Sequence, residues 1–330
     1  MDVIVNLLLV AVGFILLIKG ADFLVNGASS LAKRFNISDI AIGLTVVAMG
    51  TSAPELVVNI ISGGTDNDGL VFGNIIGSNI FNIFLILGVS SVIYPLTVQQ
   101  NALWKEVPYS LLATFMFFIL VNDMTFFEKE SNGLSLWDGL ILISMFVGFI
   151  VYIFLNLQRH PDQQEDDDEE IVMYNSVKTT IMIVLGIAGL IFGGEMIVDN
   201  AVEIANHYHV SKKLIGLTIL AAGTSLPELA TSAVAAFHKK SDLAVGNIVG
   251  SNIFNLLLVL GMTAIVHSPL QFSATGLFDD LNIDLILVMV GTFMLFIFMF
   301  TFNKYKLDRA EGILYLVGFV AYMYYLFVRG

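Results

Sequence analysis

GLTVVAMGTSAPEL, residues 43–56, recurs as GLTILAAGTSLPEL at 216–229, with ten of fourteen positions identical. A second stretch, GNIIGSNIFN at 73–82, recurs as GNIVGSNIFN at 246–255, with nine of ten identical. Both pairs are separated by 173 residues, and the same offset relates Asp22 to Glu195, Asp138 to Glu311, Gly139 to Gly312 and Tyr152 to Tyr325. The chain therefore reads as two homologous halves, 1–156 and 178–330, joined by a polar, acidic linker at 157–177.

Around these repeats the composition is that of a membrane protein. Of 330 residues, 57% are hydrophobic and 13% charged, against about 25% charged in a soluble domain. Ten apolar stretches, at 3–32, 39–63, 70–94, 104–122, 135–156, 178–206, 213–237, 243–266, 282–302 and 309–328, are each long enough to cross a bilayer. No short alternating strands suggest a barrel, so the expected fold is an all-α polytopic membrane protein with ten transmembrane helices. Five spans per half is an odd number, so the second half enters from the opposite side. That makes two inverted five-helix repeats, an arrangement that places a substrate site where the repeats meet, near the midplane.

Lys and Arg set the expected orientation. With the N-terminus outside, ten basic residues fall in inner loops and four outside. Both termini are thus expected outside, with the 157–177 linker cytoplasmic and the protein in the plasma (inner) membrane. The N-terminal run has no basic n-region and reads as a retained first helix. The net charge of −13 owes much to the acidic run 165–170, and nothing points to nucleic-acid binding. Without cysteine there are no disulfides or thiolate metal sites.

The repeated GTSxPE segments, 50–55 and 223–228, lie inside hydrophobic spans. A carboxylate in hydrocarbon is costly unless partnered, which makes Glu55 and Glu228 functional candidates. Two at equivalent places in an inverted pair can meet and share a divalent cation. Thr51 precedes Glu55 by four residues and is expected on the same helix face. Pro54 and Pro227 remove an amide, loosen the helix and free carbonyls to face a cavity. Carboxylate, hydroxyl and carbonyl oxygens suit calcium and sodium, and no thiol or histidine favours zinc, copper or iron. In the second motif Ser78, Asn82 and Asn74, mirrored by Ser251, Asn255 and Asn247, form a polar stripe expected to line the site. Gly73, Gly77, Gly246 and Gly250 read as helix-packing residues. Asp22, Asn26, Glu195 and Asp199 read as satisfied by partners or water, and Asp66, Asp68 and Asp242 as solvated loop charge. His207, His209, His238 and His267 lack metal-ligand spacing.

GTSAPEL, GTSLPEL and the two GSNIFN segments resemble the α-repeats of the sodium/calcium exchanger family, within the cation/calcium antiporters, and most closely its prokaryotic ten-helix members. The motifs cover about a third of the chain, and the span pattern extends the resemblance over all of it. The resemblance implies an eight-helix core across which the long first and sixth spans slide. It implies calcium bound by Glu55, Glu228, Thr51 and Thr224, and sodium bound by Ser52, Ser78, Ser225 and Ser251 with the carbonyls of Ala48 and Ala221. One position departs from the family. Well-known members carry an aspartate where this chain has Asn255, so the site has one fewer ionisable group. Two carboxylates balance one calcium in charge, while three sodium ions leave a surplus of one. Calcium/proton antiporters typically have Asn where Thr51 and Thr224 stand.

The expected function is therefore sodium/calcium antiport by alternating access, by a monomer with no cofactor. Calcium/proton antiport and, further off, a cation channel are the alternatives. An enzyme is not expected: HExxH is absent, and an intramembrane lyase or transferase would have no candidate base beyond the same two glutamates.

Overall fold

The computed structural model describes residues 3–64, 68–97, 100–128, 131–156, 173–208, 221–272, 276, 279–301 and 304–329. Asp66, His209, the acidic run and the start of the seventh expected span, 213–220, lie outside the described residues.

Apolar runs without a breaker give long helices. In the first half these are α1 (Val3–Phe35), α2 (Asp39–Thr51), α3 (Ala53–Ser62), α4 (Asp68–Ile93), α5 (Gln100–Val121) and α6 (Leu136–Leu155). The second half holds α7 (Ser176–His207), α8 (Leu226–Phe237), α9 (Ser241–Val266), α10 (Asp280–Phe298) and α11 (Arg309–Arg329). Among the described residues eight helices are long and apolar enough to span a membrane, and α2 with α3 form a ninth span bent by 44°. The seventh expected span is described only from residue 221, where it runs into α8.

The repeated acids Asp138 and Glu311 close helix starts. Asp138 Oδ2 accepts from Ser135 N–H at 2.8 Å, and Glu311 Oε2 accepts from Asp308 N–H at 2.8 Å. Four two-residue strands, β1 (Leu96–Thr97), β2 (Gly133–Leu134), β3 (Leu270–Gln271) and β4 (Lys306–Leu307), pair as β1–β4 and β2–β3, both antiparallel. The 173-residue offset carries β2 onto β4, and β1 onto β3 to within one residue. The two pairs are therefore copies of one crossing between the halves.

Burial separates an inside from an outside. The most apolar 18-residue windows of α4 and α9 are 72% and 83% buried, against 22% for α1 and α11. The two GSNIFN helices therefore form the centre. Each contains a π-helical stretch, Phe81–Ile86 and Phe254–Val259, a distortion common at functional sites.

On the outside, α1 and α7 pack antiparallel. Gly13 meets Gly193 and Ile197, Gly20 meets Gly186 and Leu190, and Gly27 meets Ile183. A Cβ at Gly20 would lie 2.7 Å from the backbone nitrogen of Leu190, so the approach requires glycine. Asn6 Nδ2 donates to Glu203 at 3.1 Å near one end of this pair, and the Ser30 and Thr179 hydroxyls meet at 3.1 Å near the other.

Candidate ion site

The site forms where two helices break. α2 ends at Thr51, Ser52 leaves helical geometry (φ −83°, ψ 5°), and Pro54 sits in the first turn of α3. Proline suits that position, since its missing N–H has no intrahelical partner there. Ser225 repeats the break (φ −90°, ψ 5°) ahead of Pro227 and α8. Each glutamate thus stands in the first turn of a half-helix, whose positive end favours a carboxylate. The break also separates Thr51 from Glu55, so the expectation of one shared helix face does not hold. Thr51 Oγ1 instead donates to Asn247 Oδ1 at 3.1 Å and lies 3.4 Å from Ser251 Oγ.

Glu55 and Glu228 are buried, at 0% and 1% exposure, and their charges lie close enough to interact. Glu228 Oε1 accepts from Ser52 Oγ at 3.0 Å and from Ser251 Oγ at 3.4 Å. Neither oxygen of Glu55 has a partner at hydrogen-bonding geometry among the described residues, and Glu228 Oε2 has none either.

The remaining predicted residues surround this pair. Thr224 Oγ1 donates to Asn74 Oδ1 at 3.3 Å, the mirror of Thr51 to Asn247. Asn247 Nδ2 donates to Ser232 Oγ at 2.9 Å. Ser78 and Ser225 are buried, with hydroxyls unpartnered among the described residues. Asn82 and Asn255 lie in the π-helical stretches, with both Oδ1 atoms buried and unpartnered among the described residues. The Ala48 carbonyl accepts from Ser52 N–H at 2.9 Å and from Thr51 Oγ1 at 3.3 Å. Ala221, the first described residue of its segment, is helical.

Four residues escaped the sequence reading: Asn59, Ser232, Asn79 and Asn252. Asn79 and Asn252 lie inside the repeated GSNIFN and three residues before Asn82 and Asn255, a spacing that shares a helix face. That spacing was the available signal. Other candidates sit in contacts of their own. Asp22 Oδ1 accepts from Asn26 Nδ2 at 3.1 Å and lies 2.9 Å from His238 Nε2, while His267 Nε2 lies 2.8 Å from the Ile60 carbonyl.

Among the described residues no three His, Cys, Asp or Glu cluster as a metal site. The donors are two carboxylates, hydroxyls and amide oxygens, all hard, which is the set calcium and sodium prefer. Buried oxygens without hydrogen donors are sites a cation satisfies and water-free protein does not.

Comparison with known proteins agrees. The sodium/calcium exchanger protein family matches residues 5–155 and again 178–328. A putative antiporter, CaxA, of Alkalimonas amylolytica is 36% identical over 98% of this chain and 99% of its own. The sodium/calcium exchanger MaX1 of Methanosarcina acetivorans is 28% identical over 98% of this chain and 99% of its own. A solved structure of the sodium-calcium exchanger NCX_Mj superposes with a TM-score of 0.82 at 30% identity, covering 98% of this chain and 99% of that one. With both halves matched and two buried carboxylates at the centre of a helical membrane bundle, the chain belongs to the sodium/calcium exchanger protein family.

Proposed function

We propose that this protein exchanges sodium for calcium across the membrane by alternating access, with Glu55 and Glu228 as the shared ligands. The observation that carries the reading is the pair of buried glutamates at the breaks of α2–α3 and ahead of α8, three of whose four oxygens lack hydrogen-bond partners among the described residues. Two such carboxylates repel, and occluding them empty is costly. One calcium, or several sodium ions, removes that cost. The penalty couples the two fluxes and suppresses leak.

In this reading Thr51 and Thr224 assist calcium. Ser52, Ser78, Ser225 and Ser251, with backbone oxygens at Ala48 and Ala221, serve sodium. Asn74, Asn82, Asn247 and Asn255 line the site, and Pro54 and Pro227 keep the half-helices broken. The long first and sixth spans, α1 and α7, slide across the core formed by the rest of the two repeats, 1–156 and 178–330, with both termini outside and the 157–177 linker cytoplasmic. A monomer in the plasma membrane suffices.

The test is radioactive calcium uptake into proteoliposomes under imposed sodium and proton gradients, applied separately. An outward sodium gradient is expected to drive saturable uptake. Uptake driven by the proton gradient alone would replace this reading with calcium/proton antiport, and non-saturating uptake with no counter-gradient would make the protein a channel.

A further inference from the structure

An asparagine side chain offers a cation either an oxygen or an NH2 group, and a half-turn about its last bond exchanges them. Whatever fixes that half-turn decides whether the residue attracts or repels the ion. Asn82 Nδ2 donates to Asn252 Oδ1 at 3.0 Å, and Asn255 Nδ2 donates to Asn79 Oδ1 at 3.0 Å. Asn79 Nδ2 in turn donates to the Asn252 carbonyl at 3.4 Å. Residues 79 and 252 are related by the 173-residue offset, as are 82 and 255, so the two bonds are one bond drawn twice. All four side chains are at most 3% exposed. The donor ends of Asn82 and Asn255 are thus engaged by the opposite half, while their Oδ1 atoms stay buried and unpartnered among the described residues.

We propose that Asn79 and Asn252 are positioning residues: each holds the amide of Asn255 or Asn82, respectively, with its oxygen turned to the ion and its NH2 turned away. The proposal rests on the ion-exchange reading above and extends it to two residues that need not touch the ion. Because each bond crosses between halves, the orientation of a ligand on α4 depends on α9 and the reverse. Asn255 then presents a neutral oxygen of fixed direction, and the site's ionisable groups remain Glu55 and Glu228.

The competing account is a plain interlock between the two central helices, and it predicts different numbers. Asn79→Ala and Asn252→Ala, reconstituted as full-length protein, are compared with wild type by calcium concentration dependence of sodium-driven uptake and by thermal unfolding. The proposal expects each to raise the apparent KM for calcium about tenfold, the scale of one lost hydrogen bond, with uptake at saturation within about twofold. Asn79→Asp keeps the acceptor for Asn255 and is expected to bring KM back to within about threefold of wild type. Where an alanine variant does not fold, Asn79→Ser and Asn252→Ser, too short to reach the partner amide, are expected to show the same rise. A lowered melting temperature with unchanged KM means an interlock and overturns the proposal, as does an Asn79→Asp variant no better than Asn79→Ala. Wild-type protein with no sodium-driven uptake would instead overturn the exchange reading itself.

Discussion

The surroundings of Glu228 and of Glu55 are built from matching residues and are not in the same state. Glu228 has one oxygen held by Ser52 and Ser251, and Asn247 beside it is tied to Ser232. The corresponding groups around Glu55 are Ser225, Ser78, Asn74 and Asn59. There the Ser225 and Ser78 hydroxyls, Asn74 Nδ2 and Asn59 Oδ1 are all buried and unpartnered among the described residues. Two near-identical sequences thus adopt, among the described residues, a tight and a loose hydrogen-bonding arrangement around one site. On the alternating-access reading, exchange of these arrangements between the halves converts one access state into the other. Four predictions use the two sides against each other.

The largest effect is expected at the acids. Glu55→Gln and Glu228→Gln should each reduce sodium-driven calcium uptake by at least about a hundredfold, the scale of removing one member of a buried charged pair. They should differ in stability without ions. Glu55→Gln brings an NH2 group to a neighbourhood rich in unpartnered oxygens, whereas Glu228 already accepts two hydroxyls. Melting in detergent with chelator should therefore rise more for Glu55→Gln, and the reverse order would mean that the two sides are not as described.

Next is packing. Gly250→Ala sets a Cβ of α9 against Leu44 and Ala48 of α2, and overpacking of this kind costs about 1–3 kcal/mol. Denaturant titration of the ion-free protein in micelles reads it, and a cost under about 0.5 kcal/mol would show that α2 and α9 are not packed this closely.

Much of this was legible in the sequence. The 173-residue offset alone marked Glu55, Glu228 and their serines, because few physical reasons other than a site put identical polar motifs twice into hydrocarbon. The second-half Thr51 contacts were not legible, since a four-residue spacing implies a shared face only if the helix continues, and it breaks at Ser52. Asn79 and Asn252 were passed over for a different reason. Straight α-helical geometry assigns 74, 78 and 82 to one stripe, and the π-helical turn beginning at Phe81 rotates Asn82 relative to it. Apart from Asn59 against Ser232, no residue type distinguishes the two sides, because the asymmetry is a property of the state and the repeats are otherwise alike.

The third prediction concerns Ser52 and Ser225, which occupy the same place in the two breaks. Ser52→Ala removes a 3.0 Å hydrogen bond to Glu228 and should cost about 1 kcal/mol of ion-free stability. Ser225→Ala removes a hydroxyl without a partner among the described residues and should leave that stability within about 0.5 kcal/mol. If both serines bind sodium, the two variants should nonetheless raise the sodium concentration needed for half-maximal exchange by similar factors. Unequal sodium effects with equal stabilities would reverse the assignment of these hydroxyls.

The smallest effect is expected one residue pair further out, where the halves differ in sequence as well as in state. Ser232 in the second half corresponds to Asn59 in the first. Ser232→Ala leaves Asn247 Nδ2 without its 2.9 Å acceptor while its Oδ1 stays bonded to Thr51, so about 1 kcal/mol or less is at stake. Asn59→Ala removes an oxygen that already has no partner, together with a 2.7 Å bond from Nδ2 to the Glu55 carbonyl within its own helix. That bond is local and competes with the helix backbone, so its loss should cost still less. If the double variant loses more than the sum of the two, Asn59 and Ser232 communicate through the glutamates between them. Additive losses, measured as melting shifts of the ion-free protein, would mean that the tight and loose sides are set independently, each by its own half.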